Sequence, residues 1–155
     1  MRVIGFLRNG VTLYLPLNRV RGVYQDEIVF RYKEISNRLF GLIFLSGEVI
    51  PVVDIFKLLS MDNRFEEIKE YNNRLSLLIA DSTNGLLAFI YDELKDIYEL
   101  DELAGVVKID SIDRVSDIKN SAFFVENTEV LEDIILRFKP ERNNFKEIFL
   151  CPKKS

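Results

Sequence analysis

The pattern of apolar and polar positions is organised around residues 41–59, where the sequence reads GLIFLSGEVIPVVDIFKLL. Two short apolar runs, 42–45 and 49–53, flank a Ser-Gly-Glu turn at 46–48. Short apolar runs bounded by turn residues are typical of buried strands. The pattern therefore predicts two strands joined by a tight turn.

Two residues of this stretch have predicted structural roles. Pro51 interrupts the second run, and because proline has no backbone N–H for a neighbouring strand, it predicts an edge strand or a bulge. Asp54 follows the run, and residues 55–59 have the apolar spacing of one helical turn. Since a carboxylate at this place accepts a backbone N–H of the first turn, Asp54 is the predicted N-cap of a short helix.

The N-terminal residues predict a β-hairpin. Asn9-Gly10 separates apolar runs at 3–7 and 11–17, and this dipeptide favours the positive φ angles of a type I′ turn. Pro16 indicates a non-central strand or a bulge at the end of the second run.

The rest of the chain continues with short apolar runs. After the hairpin, Asn18 is the predicted cap of a short turn that carries Val20 and Val23. Further strands are predicted at 27–32, 75–80, 86–91, 97–100 and 122–125. Strands at intervals of roughly 8–12 residues, joined by Gly and Asn turns, are typical of a small β-barrel or sandwich with little helix.

Three regions carry weaker patterns. Residues 60–73 are polar and charged, which predicts a surface loop, and 111–118 resembles a turn with a short strand. Residues 129–138 have apolar positions at helical spacing. Residues 139–155 form a charged, Asn-containing C-terminal extension with a late apolar triplet at 148–150.

Composition narrows the classes of function. The chain has 155 residues, a formal net charge of −4, 48% hydrophobic residues and 30% charged residues. This length and composition are typical of one globular domain. A general nucleic-acid binder would show a basic face, so no nucleic-acid partner is expected. No apolar run reaches the ~20 residues of a membrane span, and the first residues lack the features of a signal peptide. The expected location is the cytoplasm, without direct membrane insertion.

Histidine is missing from the sequence, which also has a single cysteine, Cys151. Histidine is the most frequent general base and zinc ligand, so we expect no metal site and no cofactor. The glycine-rich phosphate-binding motifs and the G-x-S-x-G nucleophile motif do not occur either. An enzyme would depend on carboxylates, Lys, Tyr or Ser, and the interpretation is therefore of a non-enzyme without a small-molecule substrate.

Three segments, in the same order, resemble the CheW-like domain family of bacterial chemotaxis adaptors. The first is G-L-I-x-L-x-G-x-x-I-P-V-x-D-I, which begins at Gly41 and includes Gly47. The second is LLIADSTNGLLAFIYDELKDIYEL at 77–100, in which Tyr91-Asp92-Glu93-Leu94 corresponds to a Val-Asp-Glu-Val motif. The third is an apolar strand followed by Pro-Leu and Val-x-x-Val, here Pro16, Leu17, Val20 and Val23. The resemblance covers residues 4–100 in register and fades beyond them.

The resemblance implies a mainly β CheW-like fold of two small five-stranded β-barrel subdomains with a few short helices. We expect one domain over residues 1–155, with the first barrel at roughly 11–75. The second barrel is expected at roughly 76–138 together with the N-terminal strand. The Gly-bearing hairpin that usually ends the second subdomain is not found, and residues 139–155 are set apart as the extension.

The function that the resemblance implies is that of a non-catalytic adaptor in chemotaxis-type signal transduction. Such an adaptor couples the cytoplasmic tip of a chemoreceptor to the regulatory domain of a sensor histidine kinase (CheA-like), and is recruited to receptor arrays at the membrane. The expected receptor face is the groove near Val20, Val23 and Gly47, and the barrel at 41–54 is expected to meet the kinase. The candidate partner-binding residues are Val20, Val23, Ser46, Gly47, Glu48, Asp92 and Glu93; the structural motif residues are Gly41, Pro51 and Asp54.

Ser46 departs from the family pattern, which usually has Arg before this Gly. Arg offers a planar fork of five donors that Ser cannot replace. One alternative is therefore a CheW-like interaction module of another two-component or motility pathway, without standard receptor coupling. A carboxylate enzyme using Asp54, Asp81 or Asp92 is a second alternative. A small barrel that binds oligonucleotides is a third, since 12 residues are Phe.

Overall fold

The computed structural model describes residues 1–31, 39–59, 72–82, 85–109 and 122–128. The predictions for 111–118, 129–138 and 139–155, and for most of 60–73, lie outside the described residues. The strands are β1 (Arg2–Arg8), β2 (Val11–Pro16), β3 (Val20–Phe30), β4 (Gly41–Leu45), β5 (Glu48–Val53), β6 (Asn72–Ser82), β7 (Gly85–Ile90), β8 (Glu93–Glu99), β9 (Val106–Lys108) and β10 (Ala122–Phe124). The described helical elements are α1 (Ile55–Leu59) and two 3₁₀ turns, Leu17–Arg19 and Leu100–Glu102.

Five strands form a closed barrel in the order β3-β4-β5-β7-β6. Strands β6 and β7 form an antiparallel hairpin, and β3 pairs antiparallel along the other side of β6. Strand β5 lies parallel to β7, with Val52 opposite Ala88, because the chain passes through α1 and β6 before it reaches β7. At the last seam, β3 and β4 pair in register at Phe30 and Leu42.

Gly41 allows β3 and β4 to approach each other at this seam. A Cβ at position 41 would lie 2.5 Å from the carbonyl oxygen of Phe30 and 2.9 Å from a methyl group of Val29. Atoms cannot pack at these distances, so β4 meets β3 closely only where the side chain is absent.

The other five strands form an open sheet among the described residues, in the order β8-β1-β2-β10-β9. Strands β1 and β2 are the predicted hairpin, with Asn9 and Gly10 at φ values of 49° and 83°, as a type I′ turn requires. Strand β8 pairs antiparallel with β1, and β10 runs parallel to β2 and β9. The predicted mainly β fold is confirmed as a closed barrel and a second five-stranded sheet.

The two units repeat one arrangement of strands. Each has a hairpin, β6–β7 or β1–β2, with an antiparallel strand beside its first strand and a parallel strand beside its second. Each hairpin leads directly into the antiparallel strand of the other unit, since β2 continues to β3 and β7 continues to β8. The chain therefore crosses between the units twice within its first 93 residues.

A shared apolar core joins the units. The largest cluster of buried side chains includes Phe6, Leu13 and Phe123 of the open sheet together with Leu78 and Phe89 of the barrel. Smaller clusters fill the barrel interior, around Ile43 and Ile79, and the outer part of the sheet, around Val3 and Tyr14.

Two predictions about local structure are corrected, the capped turn at Val20 and Val23 and the edge position of the strand that contains Pro51. Val20 and Val23 lie in β3 and not in a capped turn, because β6 pairs with this stretch from Val20 onward, and no side chain caps the 3₁₀ turn before it. Strand β5 is not an edge strand, because β4 and β7 lie on its two sides. Pro51 is tolerated since the pairing in register with β7 begins one residue later, at Val52.

Sheet membership also differs from the predicted boundaries of the subdomains. Strand β2 belongs to the open sheet because it forms the hairpin with β1, and β6 and β7 belong to the barrel because they pair with β3 and β5. That residues 1–155 act as a single domain with an extension at 139–155 stays a prediction.

Candidate functional site

The predicted partner-binding turn is an exposed projection of the barrel. Ser46 and Gly47 connect β4 to β5, with Leu45 and Glu48 opposite each other at its base. Their φ angles are 50° and 80°, both positive as in a type I′ turn. No atom would lie within 4 Å of a Cβ at Gly47, so glycine is favoured by its backbone conformation and not by crowding. Ser46, Gly47 and Glu48 are all exposed.

The two candidate valines of β3 differ in exposure. Val20 is partly buried against the shared core and lies opposite Ala80. Val23 lies opposite Leu78, and 39% of it is exposed. Ile28 of the same strand is equally exposed, at 39%. Val23 can therefore meet a partner directly, whereas Val20 mainly supports the core.

Asp92 lies at the crossing from the barrel to the open sheet, between β7 and β8. Its Oδ2 accepts the backbone N–H of Asn9 at 2.8 Å, and its own N–H donates to the carbonyl oxygen of Leu7 at 2.7 Å. Glu93, the next residue, opens β8 opposite Leu7 and is exposed. Of the two predicted acidic residues, Glu93 is the more available to a partner.

Asp54 is almost fully buried and caps α1. Its Oδ1 accepts the backbone N–H of Phe56 at 3.1 Å, which is the capping contact that the sequence predicts. A buried carboxylate is unfavourable unless a cation and hydrogen bonds compensate it, and Arg8 provides both. Its Nη2 donates to Oδ2 at 2.8 Å and its Nε donates to Oδ1 at 3.2 Å.

Arg8 also reaches Asp92, with Nη1 2.9 Å from Oδ1. One guanidinium at the end of β1 thus connects the helix cap of the barrel to the crossing residue. Burial opposes its charge, but the hydrogen bonds and charges of Asp54 and Asp92 outweigh burial and raise the pKa of Arg8 from its ordinary value. Arg8 is therefore a permanent cation beside two carboxylates, and the formal charge of the cluster is −1.

The structure brings together only some of the predicted site residues. Asp54 and Asp92, predicted for separate roles, meet at the two sides of Arg8. Val23 lies on β3, and the Ser46-Gly47 turn on the β4–β5 hairpin. Arg8 was not predicted as a site residue from the sequence. The one indication was its position, as a charged residue between an apolar strand and an Asn-Gly turn, because a side chain there contacts the segments that pack against the end of the hairpin.

A second polar connection lies at the other end of the barrel wall. Arg21 of β3 forms an ion pair with Asp81 of β6. The carbonyl oxygen of Asp81 accepts the hydroxyl of Thr128 at 2.8 Å, and Thr128 is fully buried. This contact fixes the segment after β10, which belongs to the open sheet, against the barrel.

Tyr14 of β2 packs edge-on against Tyr98 of β8, with ring centroids 6.2 Å apart. Burial, with a smaller electrostatic contribution from Tyr98, raises the pKa of the Tyr14 phenol above 10.0. This pair lies in the outer part of the open sheet, apart from the candidate site.

Two kinds of feature are not found in the described part of the chain. No group of three or more Cys, Asp or Glu side chains there could hold a metal ion. Within the same ranges, no helix has the length and apolar character needed to span a membrane.

Comparison with known proteins identifies the family. The model of the CheW-like domain matches residues 2–104, from the start of β1 to just beyond the second 3₁₀ turn. Among solved structures, the scaffolding protein TtCheW from Thermoanaerobacter tengcongensis is similar, with a TM-score of 0.52 and 21% identity over 65% of this chain and 66% of that chain. At this identity the likeness concerns the fold. No curated protein matches the sequence. Since the family model spans two thirds of the sequence, with all five barrel strands and strands β1, β2 and β8 of the open sheet, the chain belongs to the CheW-like domain family.

Proposed function

We propose that this protein is a non-catalytic adaptor of chemotaxis-type signal transduction. It couples the cytoplasmic tip of a chemoreceptor to the regulatory domain of a CheA-like sensor histidine kinase. The observation that carries the proposal is the match of the CheW-like family model to residues 2–104.

The exposed residues of the barrel suit a protein-binding role. Val23 and Ile28 present aliphatic surface on β3, and the turn at Ser46 and Gly47 offers polar groups with the acidic Glu48 beside it. Interfaces commonly combine an apolar centre with a polar rim. We assign Val23 and Val20 of β3 to the receptor and the turn 46–48 to the kinase.

The acidic residues after β7 supply a further candidate contact. Asp92 is bound by Arg8 and Asn9, so the exposed Glu93 is the residue that would meet a basic group of a partner. Rim charges of this kind mainly affect association rate and salt dependence.

The test is binding of the purified chain to a receptor cytoplasmic hairpin and to the kinase regulatory domain, both from the same organism. Val23→Asp should weaken receptor binding about tenfold or more and leave kinase binding unchanged, as expected for an apolar interface residue. Val107→Asp is the matched control, because Val107 is 56% exposed on β9 of the open sheet.

Glu48→Lys tests the kinase face in the same way, with Glu102→Lys on the exposed 3₁₀ turn as its control. The Glu48 variant should lose kinase affinity and keep receptor affinity. If Val23→Asp and Glu48→Lys bind both partners like the parent protein, the assignment of the faces is wrong.

Ser46 favours a second candidate, an interaction module of another two-component or motility pathway. The exposed Ser46 cannot make the bidentate contacts of the Arg that is usual at this place in the resembled pattern. Binding to the kinase domain alone would support this candidate. Binding to neither partner would contradict the chemotaxis function itself.

A further inference from the structure

Arg8 joins three parts of the molecule that are distant in the chain. It lies at the end of β1 in the open sheet, and Asp54 lies 46 residues further on, at the start of α1 in the barrel. Asp92 lies 84 residues from Arg8, where the chain crosses back to the sheet. The exposed fractions of the side chains are 18% for Arg8, 0% for Asp54 and 43% for Asp92. The contact to the barrel is therefore shielded, and the contact to the crossing is open to water.

The covalent connections between the units are few. Among the described residues, the chain passes between barrel and sheet at 17–19 and at 91–92. The Arg8 cluster is beside the second crossing and contacts it through the side chain, while Leu7 and Asn9 contact it through the backbone. Near the first crossing, Arg21 donates to backbone oxygens of residues 18 and 20 and forms an ion pair with Asp81, and both residues belong to barrel strands. Asp81 is in turn connected to the segment after β10 by the hydrogen bond from the Thr128 hydroxyl to its carbonyl oxygen, which is not an ion pair.

The chemistry of this contact depends on guanidinium. Nε and Nη2 of Arg8 donate to the two carboxylate oxygens of Asp54, and Nη1 donates to Asp92. A planar fork fixes the direction of both contacts at once, whereas an ammonium is a point charge that does not set an angle. Asp54 in turn accepts a backbone N–H in the first turn of α1. The geometry of the Arg8 contact therefore constrains the position of the barrel.

We propose that Arg8 is a positioning residue that sets the orientation of the open sheet relative to the barrel. The shared apolar core favours close packing of the units but is non-directional. The Arg8 fork selects one orientation within that packing, and so keeps β8 and the turn at 46–48 at a fixed separation. This role concerns the domain itself and holds whichever partners the protein has.

The test is a distance measurement between spin labels in a Cys151→Ser background. One label replaces Gln25 on β3 of the barrel and the other replaces Val107 on β9 of the sheet, both exposed positions. A second pair, at Gln25 and Ser46, lies within the barrel and reports on the barrel alone. The full chain is measured in each case.

Arg8→Met removes the charge and keeps the aliphatic stem, and Arg8→Lys keeps the charge and removes the fork. Both should widen the barrel-to-sheet distance distribution about twofold or more, because a positional constraint between packed units is lost. The barrel pair should not change. Arg74→Met is the matched control, since Arg74 and Asp26 form an ion pair that is 63% and 72% exposed.

Two results would overturn the proposal. One is a barrel-to-sheet distribution in both Arg8 variants that superimposes on that of the parent. The other is equal widening of both label pairs, which would mean that Arg8 only contributes to general stability. If Arg8→Met does not fold, as judged by circular dichroism, Arg8→Lys decides by the same criteria. Neither readout uses a receptor or a kinase, so failure of the proposed function leaves this test intact.

Discussion

The rings of Phe6 and Phe89 lie 5.8 Å apart between centroids, inclined at 39° to each other. Phe6 belongs to the open sheet and Phe89 to the barrel, and both are fully buried. The two units therefore share one core at this contact.

Phe6→Ala should consequently destabilise both units together. Removing a buried ring costs about 3–5 kcal/mol of the free energy of unfolding, and we expect the barrel and the sheet to lose it in one transition. Urea unfolding followed by hydrogen exchange at β2 and at β6 checks this. Separate midpoints for the two strands would contradict a single cooperative domain.

Asp54→Ala should lower the free energy of unfolding more than most substitutions of polar residues. It removes the cap of α1 and leaves Arg8, which is 18% exposed, without its main partner. Breaking a buried ion pair costs about 3 kcal/mol or more. Arg74→Ala breaks the exposed pair with Asp26 and should change stability by less than about 0.5 kcal/mol. Denaturant unfolding of both variants gives the comparison, and equal losses would mean that the buried pair is no stronger than the surface one.

Gly41→Ala should open the barrel at the seam between β3 and β4. The new methyl group would lie 2.5 Å from the carbonyl oxygen of Phe30, and relief of such a clash costs about 1–3 kcal/mol. Hydrogen exchange at Phe30 and Leu42 should become faster. In Gly47→Ala, where only the positive φ is strained, exchange at the seam should stay unchanged.

The Thr128 hydroxyl should matter more than its methyl group. Thr128→Val leaves the carbonyl oxygen of Asp81 without this donor, at a cost of about 1–2 kcal/mol, whereas Thr128→Ser keeps the hydrogen bond. The melting temperatures should therefore rank parent, then Ser, then Val. A Ser variant as unstable as the Val variant would assign the effect to packing.

Alkaline pH should weaken the fold through Tyr14. Because burial raises its pKa in the folded state above the ordinary 10.0, the unfolded chain loses this proton first. The stabilisation that the neutral Tyr14 phenol contributes is complete below pH 10, and it is lost as pH rises through the folded-state pKa of Tyr14. Between about pH 9 and about pH 11, the unfolding free energy of Tyr14→Phe should fall less than that of the parent. Parallel slopes for the two proteins would contradict the shift.

The sequence predicted local structure well where local chemistry decides it. The Asn9-Gly10 and Ser46-Gly47 turns and the Asp54 cap are set by φ preferences and by a side chain beside its own helix. The strand at Val20 was missed because its conformation is imposed by β6, more than 50 residues later. Arg8 was missed for the same reason, since its two partners lie 46 and 84 residues away. No local periodicity can indicate such partners.

The crossed connections have a consequence for synthesis of the protein. The β1–β2 hairpin leaves the ribosome before the other described strands, yet its neighbours β8 and β10 begin only at residues 93 and 122. All six residues of β2 are buried in the folded protein. During translation β2 can pair with β1, but its other edge stays unpaired until β10 has been synthesised. Unpaired apolar edges are sites of wrong pairing between chains. The nascent chain is thus most vulnerable to aggregation at the β1–β2 hairpin, until β8 covers the edge of β1 and β10 covers the edge of β2.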